Sequence, residues 1–198
     1  MNEQEITPVR TVLWQRLSEP SLESFALYQH QAGFEFRGTV VLELEGQPSC
    51  VSYRILTTVD WLTRQVTVEL RRGAEEKSLE LRVDDEQRWW QGERELTPLR
   101  GFYDVDLSVT PATNTLPLRR LELGVGRDHE VTAAWLKFPE LDLEPLPQRY
   151  TRVGERDYRY ESGTALADFS ADLRIDDVGL VTNYLSGDRG WKRVRTTT

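Results

Sequence analysis

The chain has 198 residues, a formal net charge of −8 and a pI near 5.0, which fits one large domain and weighs against a phosphate-rich nucleic-acid partner. Its single cysteine, Cys50, excludes an internal disulfide and points to a reducing compartment. No run approaches the roughly 20 apolar residues of a membrane helix, and the opening MNEQEITPVR lacks an apolar stretch of leader length, so a cytoplasmic protein is expected.

Taken in chain order, the elements read as strands. SLESFALYQH (21–30) has Leu22, Phe25 and Ala26 at near-helical spacing, but its aromatics and the following QAG fit a strand entering a hairpin. FEFRGTVVLEL (34–44) puts Phe34, Phe36, Val40, Leu42 and Leu44 on one face and Glu35, Arg37, Val41 and Glu43 on the other. QVTVEL (65–70), SLELRV (78–83), DVDLSV (104–109), EVTAAWLKF (130–138), DYRYES (157–162) and ADLRID (171–176) alternate likewise, and LRRLEL (118–123) reads as a returning strand. Turn formers separate them: EGQP (45–48), DDEQ (84–87), GVGRD (124–128), DDVG (176–179) and SGDRG (186–190).

No window holds a sustained helical stripe. The expected fold is all-β: a single domain over 1–198 with roughly twelve or more strands in one long antiparallel curved sheet and little or no helix. Such a sheet hides its edges as a spiral β-roll or incomplete barrel, which encloses a concave interior. SLELRVDDEQRWWQG (78–92) resembles SADLRIDDVGLVTNY (170–184), so an internal duplication with repeats of about 34–97 and 118–195 is expected.

The densest polar chemistry is DVDLSVTPATNTLPLRRL (104–121). On one strand Asp104 and Asp106 share a face with Cα atoms roughly 6.6 Å apart, a separation compatible with the carboxylate pair of a sugar-processing hydrolase. Arg119 and Arg120 follow closely enough to tie them off instead. Pro111 and Pro117 bracket Thr113, Asn114 and Thr115, which cap a turn or, with Thr110, line the mouth of a binding site. Trp61, Trp135, Tyr150, Tyr158 and Tyr160, with Arg64 and Arg149 beside some of them, suit sugar rings and anionic head groups; the same residues serve equally as sheet packing. His30, His129 and Cys50 lack the spacing of a metal site or catalytic motif, and no cofactor is implied.

DVDLSVTPATNTLPLRRL, AAWLKFPELDLEPLPQRYTR (133–152) and YRYES (158–162), with DWLTR, DDVGLVTNY and the closing WKRV, resemble the glycolipid-binding family of bacterial proteins over Trp14 to Val194. The resemblance implies a duplicated all-β rolled sheet, similar to periplasmic lipoprotein carriers, and a glycolipid or related amphiphile as ligand. The binding residues expected are Asp104, Asp106, Thr110, Asn114, Thr115, Arg119, Trp61, Arg64, Trp135, Arg149, Tyr150, Tyr158 and Tyr160. The alternatives are a hydrolase using Asp104 and Asp106, or a homodimeric interaction module whose interface is the aromatic and arginine surface.

Overall fold

The computed structural model describes residues 6–163 and 168–197, so the start of MNEQEITPVR lies outside the described residues. The first half supplies β1 (Thr7–Arg16), β2 (Ser21–His30), β3 (Gly33–Leu44), β4 (Gln47–Thr57), β5 (Thr63–Arg72), β6 (Glu75–Val83), β7 (Trp89–Gln91) and β8 (Arg94–Glu95). After a stretch holding β9 (Val105–Leu107) and the helix α1 (Thr115–Leu121) come β10 (Asp128–Lys137), β11 (Asp142–Arg152), β12 (Asp157–Ser162), β13 (Phe169–Ile175), β14 (Val181–Ser186) and β15 (Arg189–Thr197).

All fifteen strands join one sheet in the order β8-β7-β6-β5-β4-β3-β2-β1-β15-β14-β13-β12-β11-β10-β9. The first and last strands meet in the middle, from Thr11 opposite Thr197 to Arg16 opposite Trp191, and so zip the two halves together. The paired neighbours are antiparallel except β9, which lies parallel to β10. The sheet is curved and unclosed, with β8 and β9 as its two edges.

Alternation explains which face turns inward. In β4, Val51, Tyr53, Ile55 and Thr57 are buried and Arg54 is exposed; in β2, Ser21, Glu23, Phe25 and Leu27 are buried while Leu22 and Ser24 face solvent. The SLESFALYQH segment is therefore a strand, as its aromatics indicate. The two Asp-Asp turns have the same wiring. Asp84 Oδ1 accepts from the backbone N–H of Glu86 and Arg88 at 3.1 and 2.9 Å, and Asp176 Oδ1 accepts from Val178 and Leu180 at 3.0 and 2.9 Å. Each turn closes through a left-handed residue, Gln87 or Gly179.

One expected strand is a helix. LRRLEL falls largely within and just beyond α1, whose Thr115, Leu116, Pro117 and Leu118 are buried. Pro117 is the third helical residue, where its missing N–H removes no intrahelical bond. Seven residues do not hold a helix alone in water; burial holds this one. With the stretch before it, α1 lies inside the roll, where Leu107, Val109, Ala112 and Leu116 share a core with Phe25, Phe36, Val40, Ile55 and Val66.

Gly38 fixes one wall of that core. A Cβ there would lie 2.2 Å from the Tyr53 ring, so only glycine lets the ring cross the strand and carry its hydroxyl inward. Gly38→Ala is expected to lower stability by about 1–3 kcal/mol, read as a lower midpoint in urea denaturation; an unchanged midpoint would show that the ring is free to move aside.

Candidate functional site

The two halves of the roll present different inner faces. The first half is largely aliphatic and is filled by the inward-lying stretch. The second half offers Trp135, Gln148, Tyr150, Tyr160, Tyr184 and Trp191, and part of it stays open as a cavity of about 620 Å³. Register assembles its floor: Asp106 on β9 is opposite Trp135 on β10, which is opposite Glu144 on β11, and all three line the cavity. Leu146, Pro147, Phe169 and Tyr184 add apolar wall, while Arg16, paired with Glu19 at 2.9 Å, and Arg189 stand in the lining with Trp191.

The two aspartates part company here. Asp104 is 1 % exposed and is held by Arg120, whose Nη2 donates to one oxygen and whose Nε donates to the other at 3.3 Å. Burial pushes the Asp104 carboxyl up, against the pull of the guanidinium. Asp106 lines the cavity and accepts from Gln148 Nε2 at 2.6 Å. Burial first, and then the charge of Asp104, raise it to about 6 against that bond. Asp104 and Asp106 thus do not face one cleft as a pair: Asp104 is spent on arginine, and Asp106 lines the cavity together with Glu144.

Gln148 belongs to a chain of buried bonds. The Tyr150 hydroxyl donates to Asn114 Oδ1 at 3.0 Å and lies 3.3 Å from Gln148 Oε1, while the Asn114 amide donates to the Pro111 carbonyl at 3.3 Å. Burial lifts Tyr150 and Tyr184 well above the ordinary phenol value, so both remain O–H donors. The oxygen atoms of Asp106, the amide of Asn114 and the Tyr160 hydroxyl form a neutral-to-acidic surface suited to a ligand rich in hydroxyl donors.

A second buried acid anchors the stretch that bounds the cavity. Glu23 is 0 % exposed; the Thr110 hydroxyl lies 2.8 and 2.7 Å from its two oxygens, and the Tyr53 hydroxyl donates to it. Burial raises Glu23 to about 8, outweighing both bonds. Thr110 also lines the cavity and accepts from the backbone N–H of Ala112 at 3.0 Å.

Of the residues singled out in the sequence, Asp106, Thr110, Asn114, Trp135 and Tyr160 come together around the cavity, with Asp104 and Tyr150 beside them. The other six do not join them. Thr115 is buried at the start of α1, and Arg119 lies over the Trp61 ring, 5.2 Å from its centroid. Trp61 stacks on Phe34 at 3.9 Å between centroids. Arg64 donates to the Asp84 carbonyl at 2.7 Å, and Arg149 pairs with Glu130. Tyr158 packs against Leu118 and Leu173 under Arg152. Sequence reasoning missed Glu23, Gln148, Tyr184 and Trp191. Glu23 carried a signal, since it is the charged residue on the apolar face of SLESFALYQH. Among the described residues no cluster of His, Cys, Asp and Glu is placed to hold a metal ion, and no helix is long and apolar enough to cross a membrane.

A family model described as "Putative glycolipid-binding" matches residues 11–188. Among solved structures, the chain is similar to a DUF1089 family protein from Pseudomonas aeruginosa, with 30% identity, a TM-score of 0.76 and coverage of 84% of this chain and 89% of that one. It is also similar to a beta-barrel-like protein of domain of unknown function DUF1849 from Brucella abortus, with a TM-score of 0.57, 8% identity and 98% of each chain covered, a likeness of fold alone. No curated protein matches the chain.

Glu23 provides a test that needs no ligand. Its folded value of about 8 lies above the ordinary 4.5, so between these limits the folded protein binds more protons than the unfolded chain. Its contribution is full below the lower value and is lost as pH rises to the upper one. Asp106 has the same sign but is spent by about 6. From pH 6.5 to 8.5 the wild type is therefore expected to lose roughly 1–2 kcal/mol in urea denaturation, and Glu23→Gln to stay flatter. Equal slopes for the two proteins would place the Glu23 carboxyl outside this linkage.

Proposed function

This chain belongs to the glycolipid-binding family, and from that premise we propose that the cavity beneath β9 to β14 holds an amphiphile with a hydroxyl-rich, uncharged head. The observation that carries the reading is Asp106: a half-buried carboxyl facing an open cavity, bonded among the described residues by one amide and by no cation. Hydroxyl groups of a sugar supply the donors that such an oxygen pair lacks, and charge-assisted bonds of this kind are the strong ones. Trp135, Tyr160 and Trp191 offer ring faces for the apolar side of a sugar, and Leu146, Pro147 and Phe169 offer contact for the start of an acyl chain. The volume, about 620 Å³, lies within the range of small-molecule sites.

Binding is the better reading than hydrolysis by Asp104 and Asp106, because Asp104 is bonded to Arg120 and does not line the cavity that Asp106 faces. The site is read as a receptor for the intact ligand.

A fluorescent monoglycosyl diacylglycerol titrated into delipidated protein tests this. Saturable binding is expected to tighten as pH rises through about 6, as Asp106 becomes the better acceptor. Asp106→Asn is expected to weaken it roughly 10- to 100-fold and to remove the pH dependence. Trp135→Ala should weaken it too, without altering its pH profile. Failure of the probe to bind, or an Asp106→Asn titration matching the wild type, would reject the site.

A further inference from the structure

The solvent face of the sheet holds a second concavity, a trough of about 740 Å³ across β15, β1, β2, β3, β4 and β5. Strand register lays one row along its floor: Thr197, Thr11, Ala26, Arg37, Arg54 and Thr67 are successive cross-strand partners. The neighbouring row continues through Ser24, Thr39, Ser52 and Glu69. Small side chains over most of this floor leave the space; two arginines directly opposite each other occupy its centre.

Like charges directly opposed across strands destabilise a sheet, and this pair is kept by one residue. Glu35, 1 % exposed although it lies on the solvent face, receives Arg37 Nε at 2.6 Å and Arg54 Nε on the same oxygen. The Arg37 guanidinium is further fixed over the Tyr28 ring, 4.7 Å from its centroid. One carboxylate therefore aligns two guanidinium groups by their Nε edges and balances only one of them. Among the described residues no carboxylate other than Glu35 pairs with either arginine, and each is 46% exposed. Their Nη ends remain for something in the trough, where Arg195 adds a third positive charge against Glu69.

We propose that this trough is an anion clamp in which Arg37 and Arg54, aligned by Glu35, bind a phosphate group. Phosphate fits better than a carboxylate because two guanidinium forks need more than two acceptor oxygens, and arginine meets phosphate through paired parallel bonds. Thr39 and Ser52, one step along the same strands, are placed to donate hydroxyls to it. The clamp lies outside the inner cavity, shares no lining residue with it, and does not depend on the reading of Asp106.

The phosphate is either a soluble ion or ester, or the head group of an anionic lipid. Amide shifts of the full chain titrated with inorganic phosphate address the first. Vesicles of phosphatidylcholine with and without phosphatidylglycerol, sedimented with the protein, address the second. Saturable shifts concentrated at residues 37–39 and 52–54, or sedimentation only with phosphatidylglycerol, are expected, and either outcome identifies the source. Arg37→Gln and Arg54→Gln each leave one arginine on Glu35 and are expected to weaken the response about tenfold; Arg159→Gln, on β12, should leave it unchanged. If a glutamine variant fails to fold, Arg37→Lys and Arg54→Lys keep the ion pair, lose the fork and serve the same purpose. Weak unsaturable shifts spread over the surface together with no selective sedimentation, or a response that survives both arginine changes, would overturn the clamp.

Discussion

A sheet of fifteen strands in a single layer has one apolar face and nothing of its own to lay against it, so the fold depends on what covers that face. Here one stretch, from Asp104 to Leu118, turns inward and does so incompletely. Its place is fixed by polar bonds as well as by apolar fit. Thr110 and Tyr53 both reach Glu23 on the wall of the roll, and Arg120 reaches back to Asp104. A hydrogen bond made where water is excluded is costly to break without replacement. These few contacts therefore fix where the filled half of the interior stops and the open half begins.

The open half differs chemically for the same reason. Aliphatic side chains such as Val40, Val51, Val66 and Val68 share one core with the inward stretch. Across the roll, Gln148, Tyr150, Asn114 and Asp106 must satisfy one another and hold fixed directions while doing so. A chain of hydrogen bonds that locks its members into place, with one acceptor left facing a cavity, is a preorganised surface, and preorganisation lowers what binding costs.

Strand alternation made most of the fold legible. Period two located β3, β5, β6, β10, β12 and β13, the aromatics and the following QAG located β2, and the shared Asp-Asp turns proved to have one hydrogen-bonding pattern. The helix was hidden because so short a run of apolar and basic residues reads equally as strand or helix when most of it is buried and it shows no clean polar face. The candidate residues divide along the same physical line. Asp106, Trp135 and Tyr160 face inward and were identified; Arg149 was joined to Tyr150 because the two are adjacent, although adjacent residues on a strand point to opposite faces. The partner of Tyr150 on its own face is Gln148, two residues away, which the same rule would have found.

Two aspartates one residue apart come to such different ends because of the geometry of α1. Consecutive residues of a helix point about 100° apart, so Arg119 and Arg120 cannot both serve the aspartates. Arg120 takes Asp104, and Arg119 is carried across to the face of Trp61. Asp106 therefore keeps its oxygens for the cavity, at the cost of a raised proton affinity. An anionic group placed against it would meet like charge in a medium of low polarity. The two arginines that share a single carboxylate, Arg37 and Arg54, lie on the other side of the sheet.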